Sequence, residues 1–463
     1  MKLFRLFTCV LPVLMISVVH AQVGDEPKKK IGLPMVDGLK ALKHPEASVR
    51  YRAIQTLIDL GPLAKFAAPD LREMLTDKHG QVRVKAAEAL WKIDKTPSVT
   101  LMPILLAALK DKESSVRAAA PPVIVLFGAK AKPALPALME ALKDKEFEVQ
   151  FAAIAALGDL GPVAKESAGA LLDLTKDEKS FLLLEPFVGA ALTNLGDGTI
   201  PILATALTSE MANRRRVAAY ALGSMGPKAA SAAEALAKAL QYDDPATRQL
   251  AARALGKIGP AAKSTLPQLE TSLTDKVVAV RIEAALATWF ITKEPKHVAV
   301  IVKALGDGSK AVRDTACQTL AAMKDGAKDA VEPVAKLFDD KELRLRAIIT
   351  LGEIGPASKP IVAKLQKFLD DKDGDTQLLS AFALWQITGD AKASLKVINQ
   401  TLGTEAQYTQ SIILLGEMGA AAQPLLPTLV ALYREEDIAA DRLALANAIK
   451  KIDPSAAMKL GIK

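Results

Sequence analysis

The chain has 463 residues. Half are hydrophobic, only 4% are aromatic, and 60 basic against 52 acidic side chains leave a formal charge of +8. A single hydrophobic core stops growing near roughly 250–300 residues, so this length implies several domains or a linear array. Ala and Leu dominate, and the alternating Val, Ile, Thr, Tyr and Phe of a sheet protein are missing over most of the length, which excludes a mainly β fold.

The first 21 residues run from Lys2 and Arg5 through an apolar stretch, 6–19, to Val19-His20-Ala21. This order of charge, apolar run and small residues is that of a secretory signal cleaved near Ala21, and it predicts an exported, periplasmic or extracellular protein. The competing reading, a buried first helix of the array, does not account for that order. The run is shorter than the roughly 20 residues of a membrane-spanning helix, and Pro12 lies inside it. Residues 22–33, with Lys28-Lys29-Lys30, read as a polar linker. Lys2 and Arg5 hold two of the net charges, so the rest of the chain carries +6 on a mixed surface. Such a surface admits acidic partners and does not require nucleic acid. Of the two cysteines, Cys9 lies in the signal, so Cys317 has no internal disulfide partner once the signal is removed.

From residue 34 one turn keeps returning. Gly-Pro occurs at Gly61-Pro62, Gly161-Pro162, Gly226-Pro227, Gly259-Pro260 and Gly355-Pro356. Related turns fall at Gly128, Gly196, Gly326, Gly389 and Gly419, with divergent ones near Asp94, Lys293 and Asp453. Their separations cluster at roughly 30–35 residues, the period of a helical solenoid. Glycine supplies the left-handed residue that closes one helix, and proline is tolerated in the first turn of the next. Each unit holds two helices and one apolar face that only a neighbouring unit can cover. About twelve to thirteen units fit into residues 34–463.

A second set of residues recurs at fixed spacing. Pro69, Asp77 and Arg83 are matched by Pro103, Asp111 and Arg117, and by Pro267, Asp275 and Arg281. Asp307 with Arg313, and Asp340 with Arg346, keep the acid–base half, while Pro136 and Asp144 are followed by Gln150. The pattern resembles the HEAT repeat family, in which a proline bends the first helix and an Asp and an Arg recur around the start of the second. The Gly-Pro turns and repeat length are similar to the shorter HEAT-like repeats, a group that includes phycobilin-lyase-type arrays. The resemblance implies an all-α, right-handed α-α superhelix, a ladder of Asp and Arg along it, and second helices lining the concave side. Physically, the aspartate can accept amides at the second helix's start, and the arginine fork can bridge it to a neighbouring unit. These residues are read as staples between repeats.

The pattern loosens between Leu172 and Val217. Pro186 falls where a second helix should run and is expected to start or kink it. Arg214-Arg215-Arg216 opens the next second helix against the macrodipole, so it is a candidate contact for an acidic partner, with a solvated cluster as the alternative. Trp91, Trp289 and Trp385 sit where other units have Gly158, Gly223, Gly256, Gly352 or Gly416, and are read as filling space left by wider turns. Cys317 takes a place held elsewhere by Ala87 or Ala285 and is expected in the core. None of His44, His79 and His297 pairs with it in a recognised motif. No metal-ligand spacing, phosphate loop, dinucleotide fingerprint or serine elbow is present, and the acidic run 370–375 lacks the glutamate that ends a calcium loop.

The sequence therefore points to a non-enzymatic, cofactor-free scaffold or adaptor that binds another protein through its second helices, at exposed positions such as Lys85, Glu88 and Glu283. The alternatives are a structural spacer in an envelope assembly and, disfavoured, a bilin-lyase-like or HEAT-like nucleic-acid enzyme.

Overall fold

The computed structural model describes residues 35–176 and 178–462, and the expected signal and linker lie outside them. Among the described residues every regular element is helical. They form thirteen antiparallel helical hairpins, followed by the short helix Pro454–Lys459. The chain divides into two compact units at Ala261 and Ala262, with seven hairpins in the first and six in the second.

One hairpin shows why the sequence folds this way. The second helix Ala47–Leu60 ends at Gly61, whose φ of 58° lets its amide turn back to the Ile58 carbonyl. The chain passes into a 3₁₀ turn, Gly61–Ala67, with Pro62 at its start where no amide is needed. It then enters the short α-helix Ala68–Glu73, again with a proline, Pro69, in the first turn. The recurring proline therefore marks the junction of a 3₁₀ and an α segment within the first helix. Pro136 and Pro267 do the same in Leu135–Ala141 and Leu266–Ser272, whereas Pro103 lies inside Ser98–Ala108.

Repeats are held together by close contact between successive second helices. A Cβ on Gly158 would stand 3.0 Å from the Ala191 Cα, and one on Gly223 equally close to the Ala254 Cα. Gly352 with Ala383, and Gly416 with Ala448, repeat the contact at 3.1 and 3.0 Å in the second unit. Small residues thus let backbones meet, while Leu, Ile and Val from both helices of each hairpin fill the space between layers. Each such side chain contributes about 1.5–3 kcal/mol when fully buried.

Two stretches, Phe147–Lys176 and Tyr408–Glu435, are long and apolar enough to cross a membrane by length and composition. Each is a second helix and the following first helix run together through the turn at Gly161 or Gly419, and about half of each is buried among the repeats. Hairpin packing accounts for their apolar character.

Two expectations need correction. Helix Glu178–Asn194 runs through Pro186, so that proline lies inside a second helix instead of starting it. The turn expected at Gly326 has its left-handed residue two places earlier, at Lys324 with φ 53°. Gly326 is instead buried under the Trp289 ring, and a Cβ there would come within 2.5 Å of it. The tryptophan and glycine of successive repeats are thus complementary. Trp91 likewise packs on Phe127 of the following repeat, with ring centroids 4.6 Å apart.

Candidate partner-binding surface

Many of the described loops before a second helix open with an acidic residue, whereas Ser209 takes that place before Ala212–Met225. In Asp77, Asp111, Asp144, Asp275, Asp307 and Asp340, Oδ1 accepts the amide two residues on at 2.8–3.0 Å. The arginine one turn into the helix donates Nη1 back to its own loop carbonyls. Arg83 reaches those of Asp77 and Lys78, and Arg117 those of Asp111 and Lys112. Arg281 reaches those of Asp275 and Lys276, and Arg313 those of Asp307 and Gly308.

The rest of the fork points to the next repeat. Arg117 Nε lies 2.6 Å from Asp144 Oδ2, and its Nη2 donates to Oδ1 at 2.8 Å. Arg83 reaches Asp111 at 3.1 Å and Arg313 reaches Asp340 at 3.3 Å. The carboxylate and guanidinium of one repeat are therefore not paired; Arg83, Arg117 and Arg313 each join their own loop to the aspartate of the following repeat. A planar group with five donors suits this double task, and a lysine does not. The hydrogen bond from Arg117 holds the Asp144 carboxyl below its usual range against the opposing effect of burial. At Asp77 burial would raise the carboxyl, but bonds from Arg50 and the His79 amide outweigh it.

The ladder extends beyond the residues legible by that spacing. Arg50 forms a two-pronged pair with Asp77 at 2.7 and 2.8 Å. Arg248 is buried and donates to the carbonyls of Tyr242 and Asp243. Arg344, not Arg346, occupies the rung position in its repeat: its Nε donates to the Phe338 carbonyl at 2.7 Å and its Nη1 lies 4.0 Å from Asp371. The second helix there starts at Arg344, so the Asp340-to-Arg346 spacing is misleading. Arg346 pairs backward with Asp314 at 2.6 Å. Counting eleven residues back from the turn glycine finds the right residue in Arg50, Arg215, Arg248 and Arg344. Tyr408 stands at the same distance before Gly419 and bonds Glu436 at 3.0 Å.

That count also reassigns the arginine triplet. Arg215 is only 7% exposed, donates to the carbonyls of Ser209 and Glu210, and lays its guanidinium 4.1 Å over the Tyr242 ring. It is a rung with an aromatic in place of the acid, not a solvated contact. Arg214 is half-buried and pairs with Asp173 at 3.1 Å, and Arg216 bonds Asn213.

The outward side of the second helices carries both polar and apolar stretches. Glu283, expected there, is buried. Lys85 and Lys92 clasp Glu88 at 2.8 and 2.6 Å; burial would raise that carboxyl, but the two lysines hold it below its usual range. Farther along, aromatic side chains from successive repeats meet. Phe147 stacks on Phe151 with centroids 6.2 Å apart, and Phe151 meets Phe187 edge-on at 4.7 Å. Tyr220, from the next second helix, lies over Gly189, where a Cβ would come within 2.6 Å of its ring. Phe147 and Tyr220 are 43% and 45% exposed, and Leu183, one turn before Phe187 on its helix, is 66% exposed. In a chain so poor in aromatics this run is the most distinctive exposed feature of the second helices, and the tryptophans drew attention away from it.

The remaining candidate chemistry is structural. Burial, with the Asp314 charge nearby, pushes the Cys317 thiol up to about 12. In the acidic run, Asp373 caps the helix Gly374–Thr388 by accepting from Thr376, and Asp371 accepts the Asp373 amide. Among the described residues no group of three or more His, Cys, Asp or Glu could hold a metal.

Comparison with known families agrees with this geometry. The family described as HEAT repeats matches residues 37–121, 102–185, 200–289 and 278–351. The chain belongs to the HEAT-repeat family. Helical hairpins continue past the last match as far as Ile452. Among solved structures, an engineered protein is 24% identical, with a TM-score of 0.32 over 76% of this chain and 98% of that one. Karyopherin Kap121p bound to the extreme C-terminus of the protein phosphatase Cdc14p is 15% identical, with a TM-score of 0.47 over 92% of this chain and 54% of that one. Importin beta is also 15% identical, with a TM-score of 0.45 over 92% and 69%. The chain thus spans about half the length of the karyopherin. No curated protein sequence matches the chain significantly.

Proposed function

We propose that this HEAT-repeat protein is an exported scaffold or adaptor that holds another protein against its second helices, and that it works by binding and not by catalysis. The observation that carries this reading is the aromatic run Phe147, Phe151, Phe187 and Tyr220, contributed by three successive hairpins and exposed at its two ends, Phe147 and Tyr220. Aromatic side chains presented on a rigid scaffold are the usual anchors of protein interfaces. The ladder is internal to the array and serves rigidity. Export rests on the order of residues 1–21, with the mature chain beginning at Gln22.

The test places a photo-crosslinking side chain at Phe147 or Tyr220, and as a control at Glu140 on a first helix, in the source cells. A discrete adduct formed from the first two positions and not from the control supports the adaptor. Equal labelling from all three, or none from any, leaves only the spacer reading. N-terminal sequencing of the isolated protein checks export, and an intact Met1 in the cytosolic fraction refutes it.

A further inference from the structure

The turns joining each second helix to the next first helix lie along the edge opposite the Asp–Arg ladder. In the first three of them Lys65, Lys95, Lys130 and Lys132 are all exposed. Each turn leads into the start of an α-helix, at Ala68, Ser98 and Leu135, where positive charge opposes the macrodipole. The same lysines follow the C-terminal ends of second helices or close 3₁₀ turns, where positive charge is favoured, so the opposing dipole effects do not by themselves explain the lysines. Nor does local ion pairing. Asp94 is held by Arg72 at 2.5 Å, Asp59 accepts from Gln55, and Lys130 lies 5.9 Å over the Trp91 ring. Only Lys132 faces an acid, Glu166, at 3.8 Å between two well-exposed side chains.

The same edge carries protruding apolar groups. Leu63 and Val99 are each 78% exposed and Phe66 is 38% exposed. Leu63 and Phe66 share the 3₁₀ turn with Lys65, and Val99 follows Lys95 at the start of the next first helix. A single exposed aliphatic needs no explanation, but three interleaved with four lysines along one edge do. They stand out singly and form no groove for a peptide, and Leu63 and Val99, the two that protrude most, offer no ring for a nucleic-acid base.

We propose that this edge docks on an anionic lipid surface, with the lysines at the phosphate headgroups and Leu63, Phe66 and Val99 entering the acyl boundary. Basic groups beside short apolar projections match that layered chemistry, charge outermost and hydrocarbon beneath. The surface is distinct from the aromatic run on the second helices, so lipid and protein could be held together. Neither proposal depends on the other.

The test is co-sedimentation of the chain from Gln22 with vesicles of phosphatidylcholine alone, or mixed in equal parts with phosphatidylglycerol. That truncation leaves every described element in place and removes the apolar stretch 6–19. Binding is expected to the mixed vesicles only and to weaken with added salt. Lys65→Gln/Lys95→Gln/Lys132→Gln should lower it by at least ~10-fold. Leu63→Ser/Val99→Ser should lower it several-fold while keeping the salt dependence. Lys328→Gln/Lys359→Gln, in exposed turns of the second unit, should leave it unchanged. Circular dichroism verifies that each variant is folded, and single lysine replacements stand in for any that is not. Failure to bind anionic vesicles, or binding that survives both sets of edge substitutions, overturns the proposal. So does equal loss in the second-unit control, which would mean that the net charge of the chain does the binding.

Discussion

Arg117→Ala is the sharpest probe of how the repeats are joined. The side chains of Arg117 and Asp144 are 11% and 13% exposed, and the substitution removes two bonds to the carboxylate and two to the loop carbonyls of Asp111 and Lys112. Removing one partner of a part-buried, charge-assisted pair costs about 1–3 kcal/mol, because the other charge loses its hydrogen bonds. The exposed pair Lys143–Glu140 provides the contrast, since such pairs contribute about 0–1 kcal/mol. The loss should be local, as stacked repeats are coupled mainly to their nearest neighbours. Urea unfolding gives the total, and hydrogen exchange should show faster opening in Ser114–Val125 and Phe147–Leu160 before other helices. The pair also sets a pH window. The folded carboxyl of Asp144 lies below its unfolded value, so its contribution is complete above about pH 4 and disappears as pH falls through the lower folded value. Asp144→Asn should remove that part of the acid dependence. A double-mutant cycle between Arg117→Ala and Asp144→Ala with coupling below about 0.5 kcal/mol would refute the staple, since closely coupled residues normally exceed it.

Two further predictions follow from packing. Gly158→Val should destabilise the first unit by about 1–3 kcal/mol or more in thermal unfolding, because its Cβ already meets the Ala191 backbone at 3.0 Å; an unchanged melting temperature would contradict the close helix contact. Cys317, fully buried and with its thiol pushed up to about 12, should resist alkylation at pH 8 until the second unit unfolds, and rapid labelling of the folded protein would contradict that placement.

Much of the architecture was legible because it rests on local chemistry repeated many times. A glycine whose amide closes one helix and a proline that opens the next recur at the hairpin period, and both effects lie within a few residues. The loop aspartate and helix arginine were legible as types for the same reason. Their partners were not. Arg117 and Asp111 look paired in the sequence, yet Arg117 binds the side chain of Asp144, twenty-seven residues on. The two-residue shift that puts Arg344 in place of Arg346 depends on where a loop ends, which spacing alone does not encode.

The sequence by itself determined the helical hairpin, its period and the chemical kind of staple, since each is set by backbone preferences within a single repeat. Only the tertiary structure decided which side of each helix meets water. It turned Arg215 inward under Tyr242, buried Glu283, placed Gly326 beneath Trp289, and left Phe147 and Tyr220 on the outward side. The reason is that exposure in a stacked array depends on the repeat before and the repeat after. A side chain's own repeat fixes its direction, and its neighbours fix whether anything is there to cover it.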